Sequence, residues 1–491
     1  MLKNDRYRPR FHFSPTSGWM NDPNGLVRTA AGYHAFFQHN PTEKTWGNIV
    51  WGHAFSEDLL IWRDLGVSLV PEESLMAFSG SAVECPLSAL TGEDSDGLAL
   101  VAAYTGHETA TEIQDQRIVY SVDDGISWRP LGKEPAIPER VRHFRDPGLF
   151  WHVETQSWIL VVIYAVEHAV AFYRSPDLRG WQRHGTFQLD EPDGVECECP
   201  ELVRLADPQT PGEDLWLLKV DLSTGAVTGG SGGKYFLGRF DGYGFESLPI
   251  VAGPPEARNA WGWVDYGKDF YAAQVFRNND KTQTPVWLGW ASNWQYARQT
   301  PTDPWRGCLS CPRELSLAVT GDGYLLCQKP FFPGTAGDSR SLPWSVVDSE
   351  APFPEVNPGH SFELRCRFSD WTAEEFGVDV AVGADCRTRL GFRPAQEEIF
   401  LDRRRSGDVS FSTDFPEIFQ APLRYHDEID VHLLVDRSIV EVFVNGGQTV
   451  LSSLIYPPDD ATRLSLYARS GRATISSAEW SLLGGPEVPI K

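Results

Sequence analysis

The sequence predicts an all-β protein, a five-bladed β-propeller followed by a C-terminal β-sandwich. A Ser-x-Asp-x-x-x-Trp turn recurs through the first half of the chain, and acidic or hydroxyl residues in compact motifs recur on the same beat. Beyond about residue 330 the segments alternate apolar and polar with period two, and helical periodicity is hard to find before that point.

The turn is explicit at Ser56-Glu57-Asp58-Leu59-Leu60-Ile61-Trp62 and Ser175-Pro176-Asp177-Leu178-Arg179-Gly180-Trp181, and one residue longer between Ser121 and Trp128. Arg239-Phe240-Asp241-Gly242-Tyr243-Gly244-Phe245 is a degenerate fourth copy. In each, Asp caps a hairpin and the aromatic ring anchors the returning strand. Asp22, Ser79, Asp146, Glu198 and Asp265 are separated by 57, 67, 52 and 67 residues, half a repeat ahead of these turns. Five inner-strand positions on that beat would converge on one central funnel. One blade can be read directly: residues 148–152, 158–163 and 169–173 are three apolar runs leading into the Ser175 turn.

Domain organisation follows from composition. Residues 1–332 form the propeller, 333–355 a Pro/Gly-rich linker and 356–491 the sandwich. In the last, Phe362, Leu364, Cys366 and Phe368 alternate with charged residues. Val440, Val442 and Val444 lead into an Asn445-Gly446 hairpin turn, predicting strands with one polar face.

The chain of 491 residues carries 43 Lys+Arg against 67 Asp+Glu, a formal charge of -24, which argues against nucleic acid or an anionic membrane as partner. A neutral sugar is indifferent to that charge, and 18 Trp supply rings that can stack on sugars or fill a β core. The eight Cys make no disulfide framework, and Cys308 and Cys311 form a lone CxxC. No His-Glu-x-x-His occurs among the 12 His, so neither metal nor cofactor is predicted. The longest apolar run, residues 158–166, is too short to span a membrane. Met1-Leu2-Lys3-Asn4-Asp5-Arg6 has no apolar signal core, which leaves a cytoplasmic protein or a secreted form with its signal removed.

Three motifs carry the chemistry. Asp22 lies in Trp19-Met20-Asn21-Asp22-Pro23-Asn24-Gly25, Asp146 in Phe144-Arg145-Asp146-Pro147 and Glu198 in Glu198-Cys199-Pro200-Glu201. Alone, any one is a turn signal. Together they offer the nucleophile, proton donor and hydroxyl-orienting group that glycoside cleavage requires.

With Phe36-Phe37-Gln38-His39-Asn40-Pro41, Trp51-Gly52-His53-Ala54, Phe78-Ser79-Gly80-Ser81, Asp265-Tyr266-Gly267, Ser292-Asn293-Trp294-Gln295-Tyr296-Ala297 and Pro312-Arg313-Glu314-Leu315, the chain resembles glycoside hydrolase family 32. Asp436-Arg437-Ser438 with Glu441-Val442-Phe443 resembles that family's sandwich signature. The family comprises invertases, exo-inulinases, levanases and levan fructotransferases, on a five-bladed propeller plus sandwich. The resemblance implies Asp22 as nucleophile on the anomeric C2 of a β-fructosyl unit. It implies Glu198 as acid/base, protonated at working pH, and Asp146 as the group that binds hydroxyls, kept ionised by Arg145. Asn21, Gln38, Trp46, Phe78, Ser79 and Trp294 would complete the fructose pocket, with Trp19, Trp46 and Trp294 as its walls. His53 would be structural. Cys197, Cys308 and Cys311 depart from the family pattern and are expected to border the leaving-group side.

Retaining hydrolysis of fructans or sucrose is the expected activity. The alternatives are a levan fructotransferase releasing difructose anhydride and a non-catalytic fructan binder. The segment Ser121 to Trp128 also matches the aspartate box of sialidases, but those enzymes need an arginine cluster and a tyrosine nucleophile, which the repeated Asp/Glu motifs fit worse.

Overall fold

The computed structural model describes residues 5–92, 96–132, 135–253, 260–278, 284–333, 340–342, 345–348, 351–352, 357–424 and 427–484. Five antiparallel sheets follow one another along the chain. Blade 1 comprises Gly18–Arg28, Tyr33–Asn40, Val50–Ser56 and Arg63–Leu69. Blade 2 comprises Leu75–Pro86, Leu98–Glu108, Gln114–Ser121 and Arg129–Pro130. Blade 3 runs through Phe144–His152, Ser157–Tyr164, Ala169–Ser175 and Gln182–Gln188. Blade 4 runs through Cys197–Ala206, Asp214–Leu222, Gly232–Phe240 and Phe245–Ser247, and blade 5 through Tyr271–Val275, Val286–Trp290, Arg313–Thr320 and Gly323–Pro330. The first strand of each blade packs against the first strand of the next, and that of blade 5 returns to that of blade 1, closing the ring.

Apolar clusters fill the gaps between blades, the one between blades 3 and 4 running on into the sandwich core, which explains the uninterrupted apolar run in blade 3. Ile159, Val161 and Ile163 face blade 4, whereas Leu160 and Val162 face blade 2, so both faces of the strand are buried. All four turn copies close the third-to-fourth strand hairpin of blades 1 to 4. Asp58 Oδ1 accepts from the N–H of Leu60 and Ile61 at 2.9 and 2.8 Å, Asp123 from Ser127 at 2.9 Å, Asp177 from Arg179 and Gly180 at 2.9 and 3.0 Å. Asp241 does the same for Tyr243 and Gly244. The returning Trp128 donates its indole N–H to Ser68, and Trp62 packs on Phe13.

The sandwich consists of one sheet ordered around Ala473–Leu482, Ser361–Ser369, Glu428–Asp436, Ile439–Val444 and Thr449–Leu454. Arg463–Arg469, Glu375–Val382, Arg387–Arg393, Glu398–Arg405 and Ile418–Pro422 form the other. Phe362, Leu364, Cys366 and Phe368 are buried as the alternation predicts. Ile439–Val444 is different, because it has no polar face open to solvent. Glu441 is fully buried, since that side of the strand packs on the propeller. Part of the segment expected as linker is sheet: Arg340–Leu342 and Ser345–Val347 pair with Ala473–Leu482, and Ala351–Pro352 pairs with Arg463–Arg469. These short edge pairings satisfy sheet edges that composition does not reveal. Residues 334–339 and 353–356, and the amino terminus 1–4 considered for a signal, lie outside the described residues.

Charged side chains join the domains. Arg313, with no exposed surface, donates to Asp265 at 2.9 Å and to Glu441 and Ser452 at 2.6 Å. His12 sits between Asp436 and Glu441, 2.9 and 2.8 Å away. Burial alone would lower its pKa, but the two carboxylates hold it up at about 9.

Candidate active site

Each innermost strand breaks its ladder where it faces the channel. Pairing with the second strand shifts register between Met20 and Pro23, between Ala77 and Gly80, across Asp146 and Pro147, between Glu198 and Glu201, and between Tyr271 and Gln274. Pro23, Pro147 and Pro200 have no N–H to give a ladder, so the strand bulges there and turns the neighbouring side chain into the channel. Asp146 and Cys199 adopt left-handed backbone conformations, φ +62° and +48°, of the strained kind that clusters at functional sites.

These bulges bring Asp22, Ser79, Asp146 and Glu198 together. Asp22 is the best-held group: Asn21 donates to Oδ1 at 3.0 Å, while Ser79 Oγ and Gln38 Nε2 donate to Oδ2 at 2.7 and 3.2 Å. Gln38 also donates to Ser79, and Trp19 Nε1 fixes Asn21 at 2.7 Å. Asp146 Oδ2 accepts from the Cys199 N–H at 2.8 Å, and the Asp146 N–H donates to Thr105 at 3.0 Å. Glu198 accepts from Arg145 at 2.9 Å and from the Tyr271 hydroxyl.

The acids act on one another. Burial raises the Asp22 pKa, the charge of Glu198 adds to the rise, and the bonds from Ser79 and Asn21 oppose it. Burial likewise pushes Asp146 up to about 7 despite Arg145, with Glu198 and Asp22 contributing. Arg145 favours the ionised form but does not outweigh burial. Its Nε lies 3.9 Å from Asp146, and its Nη2 is spent on Glu198 and Glu196. Behind Glu198, on the second strand of blade 4, Lys219 and Asp221 form a buried ion pair. Burial raises Asp221 to about 6, with Lys219 pulling the other way.

Trp46, Phe78 and Trp294 are part-exposed around these acids, Trp46 edge-on to Phe78 at 5.7 Å and Phe78 stacked on His107 at 4.4 Å. Trp19 has no exposed surface; it backs Trp294, with ring centroids 6.0 Å apart. His53 is buried against Phe36 and 3.0 Å from His34; burial, then His34, pushes its pKa down to about 3. Among the described residues no group of three or more His, Cys, Asp or Glu could hold a metal ion.

Asp265 is not the fifth channel residue. Its carboxylate accepts from Arg313 and from the N–H and hydroxyl of Ser452, at the sandwich interface. Gly267 lets the loop press there, since a Cβ on it would meet the Ser452 backbone at 2.1 Å. The innermost strand of blade 5 begins later and presents Tyr271, for which no acidic motif served as a signal. Cys197, Cys308 and Cys311 are fully buried: Cys197 lies in the apolar cluster between blades 3 and 4, the Cys308 thiol meets the Ala291 carbonyl and the Cys311 N–H donates to Glu441. Strand alternation explains Cys197, since its neighbour Glu198 points the opposite way. Glu196, two residues before Glu198 and on its face, was detectable from that same alternation.

Residues 12–330 match the Glycosyl hydrolases family 32 N-terminal domain, and residues 341–481 match the Glycosyl hydrolases family 32 C terminal. The chain belongs to glycosyl hydrolase family 32. It is 37% identical over 481 residues to a levanase of Bacillus subtilis, covering 96% of this chain and 69% of that one. It is 36% identical over 501 residues to an extracellular exo-inulinase of Aspergillus awamori, covering 95% and 92%. The crystal structure of exo-inulinase from Aspergillus awamori superposes with a TM-score of 0.89 at 34% identity, covering 97% of this chain and 98% of that one. A fructofuranosidase from Schwanniomyces occidentalis, complexed with fructose, gives 0.86 at 26% identity, covering 99% and 100%. As a family 32 member the protein is a glycoside hydrolase, and the bulged inner strands are the part of its fold that gathers the acids.

Proposed function

We propose that this family 32 enzyme is a retaining β-fructofuranosidase acting on the terminal β-fructosyl unit of fructans or sucrose. Asp22 is the nucleophile. Four donors aim its carboxylate, and its attack on C2 breaks the bond to the leaving oxygen and forms a fructosyl ester. Glu198 gives its proton to that oxygen, then takes one from the incoming water. Asp146 accepts bonds from fructose hydroxyls, and Asn21, Gln38, Ser79, Trp46, Phe78 and Trp294 shape the sugar site, with Trp19 behind Trp294. Catalysis belongs to residues 1–332, while the sandwich, residues 356–491, braces blade 5 through Glu441 and Ser452.

The observation that carries this reading is the contrast between two carboxylates. Asp22 is enclosed by four neutral donors, Asn21, Gln38, Ser79 and the Cys199 thiol, whereas Glu198 is more exposed and held by a cation and a phenol. The levanase and exo-inulinase relatives support a fructan as substrate.

Chromatography of early products from sucrose, inulin and levan tests the proposal. Free fructose from the first time point, with the β-configuration retained at C2 by NMR, is expected. A non-reducing difructose as the dominant early product from levan would instead make the enzyme a fructotransferase. Binding without turnover would make it a fructan-binding protein.

A further inference from the structure

Arg145 Nη2 serves two carboxylates at once, Glu198 Oε1 at 2.9 Å and Glu196 Oε2. Glu196 and Glu198 are two residues apart in extended chain and so share a face. The backbone of Glu196 is pinned by Ser223, which donates its N–H to the Glu196 carbonyl and accepts the Glu196 N–H on Oγ, both at 2.9 Å. His143 Nδ1 approaches Glu196 Oε1 at 3.5 Å. The Arg145 side chain is 7% exposed, so its charge needs a partner at every stage of a reaction cycle.

We propose that Glu196 is a positioning residue for proton transfer, acting as the permanent counter-ion of Arg145 so that Glu198 is free to carry a proton. This rests on the reading of Glu198 as the acid/base. A donor whose ionised form is held by a buried guanidinium would strand that cation each time it took up a proton. With Glu196 in place, Arg145 keeps a full ionic partner through both halves of the cycle. Burial alone would raise the pKa of Glu196, but Arg145 and then His143 hold it below the ordinary carboxylate range, so its charge persists at working pH. Other groups face Glu198 from blades 1, 3, 4 and 5: Asp22, Asp146, Asp221 with its partner Lys219, and the Tyr271 hydroxyl. Among the described residues the charged groups that act on Glu196 are Arg145 and His143, and Arg145 also lies 3.9 Å from Asp146.

The test is the pH profile of kcat/KM for Glu196→Gln and Glu196→Ala, with Glu196→Asp as the charge-keeping control, each checked by melting temperature. Both neutral variants are expected to move the alkaline limb to lower pH by about one unit, with Glu196→Asp retaining the parental limb. A uniform loss of rate with the limb unmoved would overturn the proposal, because a purely structural residue behaves that way. Glu198→Gln separates the two layers. If it abolishes the limb while Glu196→Gln leaves the limb in place, only the role of Glu196 fails. If Glu198→Gln keeps the limb, the assignment of the proton donor fails with it.

Discussion

The N–H of Cys199 donates to Oδ2 of Asp146 at 2.8 Å, tying the blade 4 bulge that presents Glu198 to the blade 3 bulge that presents Asp146. Because the donor is a backbone group, the spacing of these two acids is set by strand geometry more than by rotamers.

Asp22→Asn keeps the shape and most hydrogen-bonding capacity of the side chain but cannot attack C2. A fall in kcat of at least about 10⁴-fold is expected. Since burial disfavours the Asp22 charge, the variant should melt no lower than the parent at neutral pH. Substantial residual turnover would remove Asp22 from the nucleophile role.

Asp146 makes stability pH-dependent. Its pKa in the folded protein, about 7, lies above the ordinary Asp value, so the unfolded chain loses its proton first as pH rises. This carboxyl therefore costs stability progressively from the ordinary Asp range up to about 7, and by a constant amount above that. Melting curves should show Asp146→Asn as stable as the parent near pH 3 and more stable above about pH 7, although inactive. Equal melting temperatures across that range would contradict the shift.

Glu198→Gln should hurt natural substrates far more than fructosides with an activated leaving group, because an oxygen that departs readily needs no proton. Identical losses on both, measured as kcat/KM, would argue against Glu198 as the donor.

Tyr271→Phe deletes only the hydroxyl that donates to Glu198. A drop in kcat of about 10- to 100-fold is expected, the equivalent of about 1.5–3 kcal/mol for a hydrogen bond to a charged group. KM should change little, since the ring is buried and remains so.

Arg313→Met leaves Asp265 buried without its cation and Glu441 with His12 alone. Urea unfolding should register a loss of about 3–5 kcal/mol. A loss within the noise of the measurement would mean the interface does not depend on this ion cluster.

Much of the protein could be read before any fold was known, because the signals were local. Asp side chains at 58, 123, 177 and 241 cap their own turns, and apolar runs such as residues 158–163 need both faces covered wherever they lie. The prolines at 23, 147 and 200 interrupt ladders whatever the partner strand, so the three acids stood out together. Where blade 5 begins was not local. Asp265 kept the beat but was drawn to Arg313 and Ser452, and Tyr271 took the channel position. The burial of Glu441 and the sheet pairing inside residues 340–352 likewise depended on which surface came to cover each strand. The raised pKa of Asp146 depended on more still: desolvation opposed by a guanidinium whose hydrogen bonds went to Glu196 and Glu198. Turn chemistry and strand period act over a few residues of chain. Burial and Coulomb interactions act through space, between residues that only the closed ring and the docked sandwich bring together.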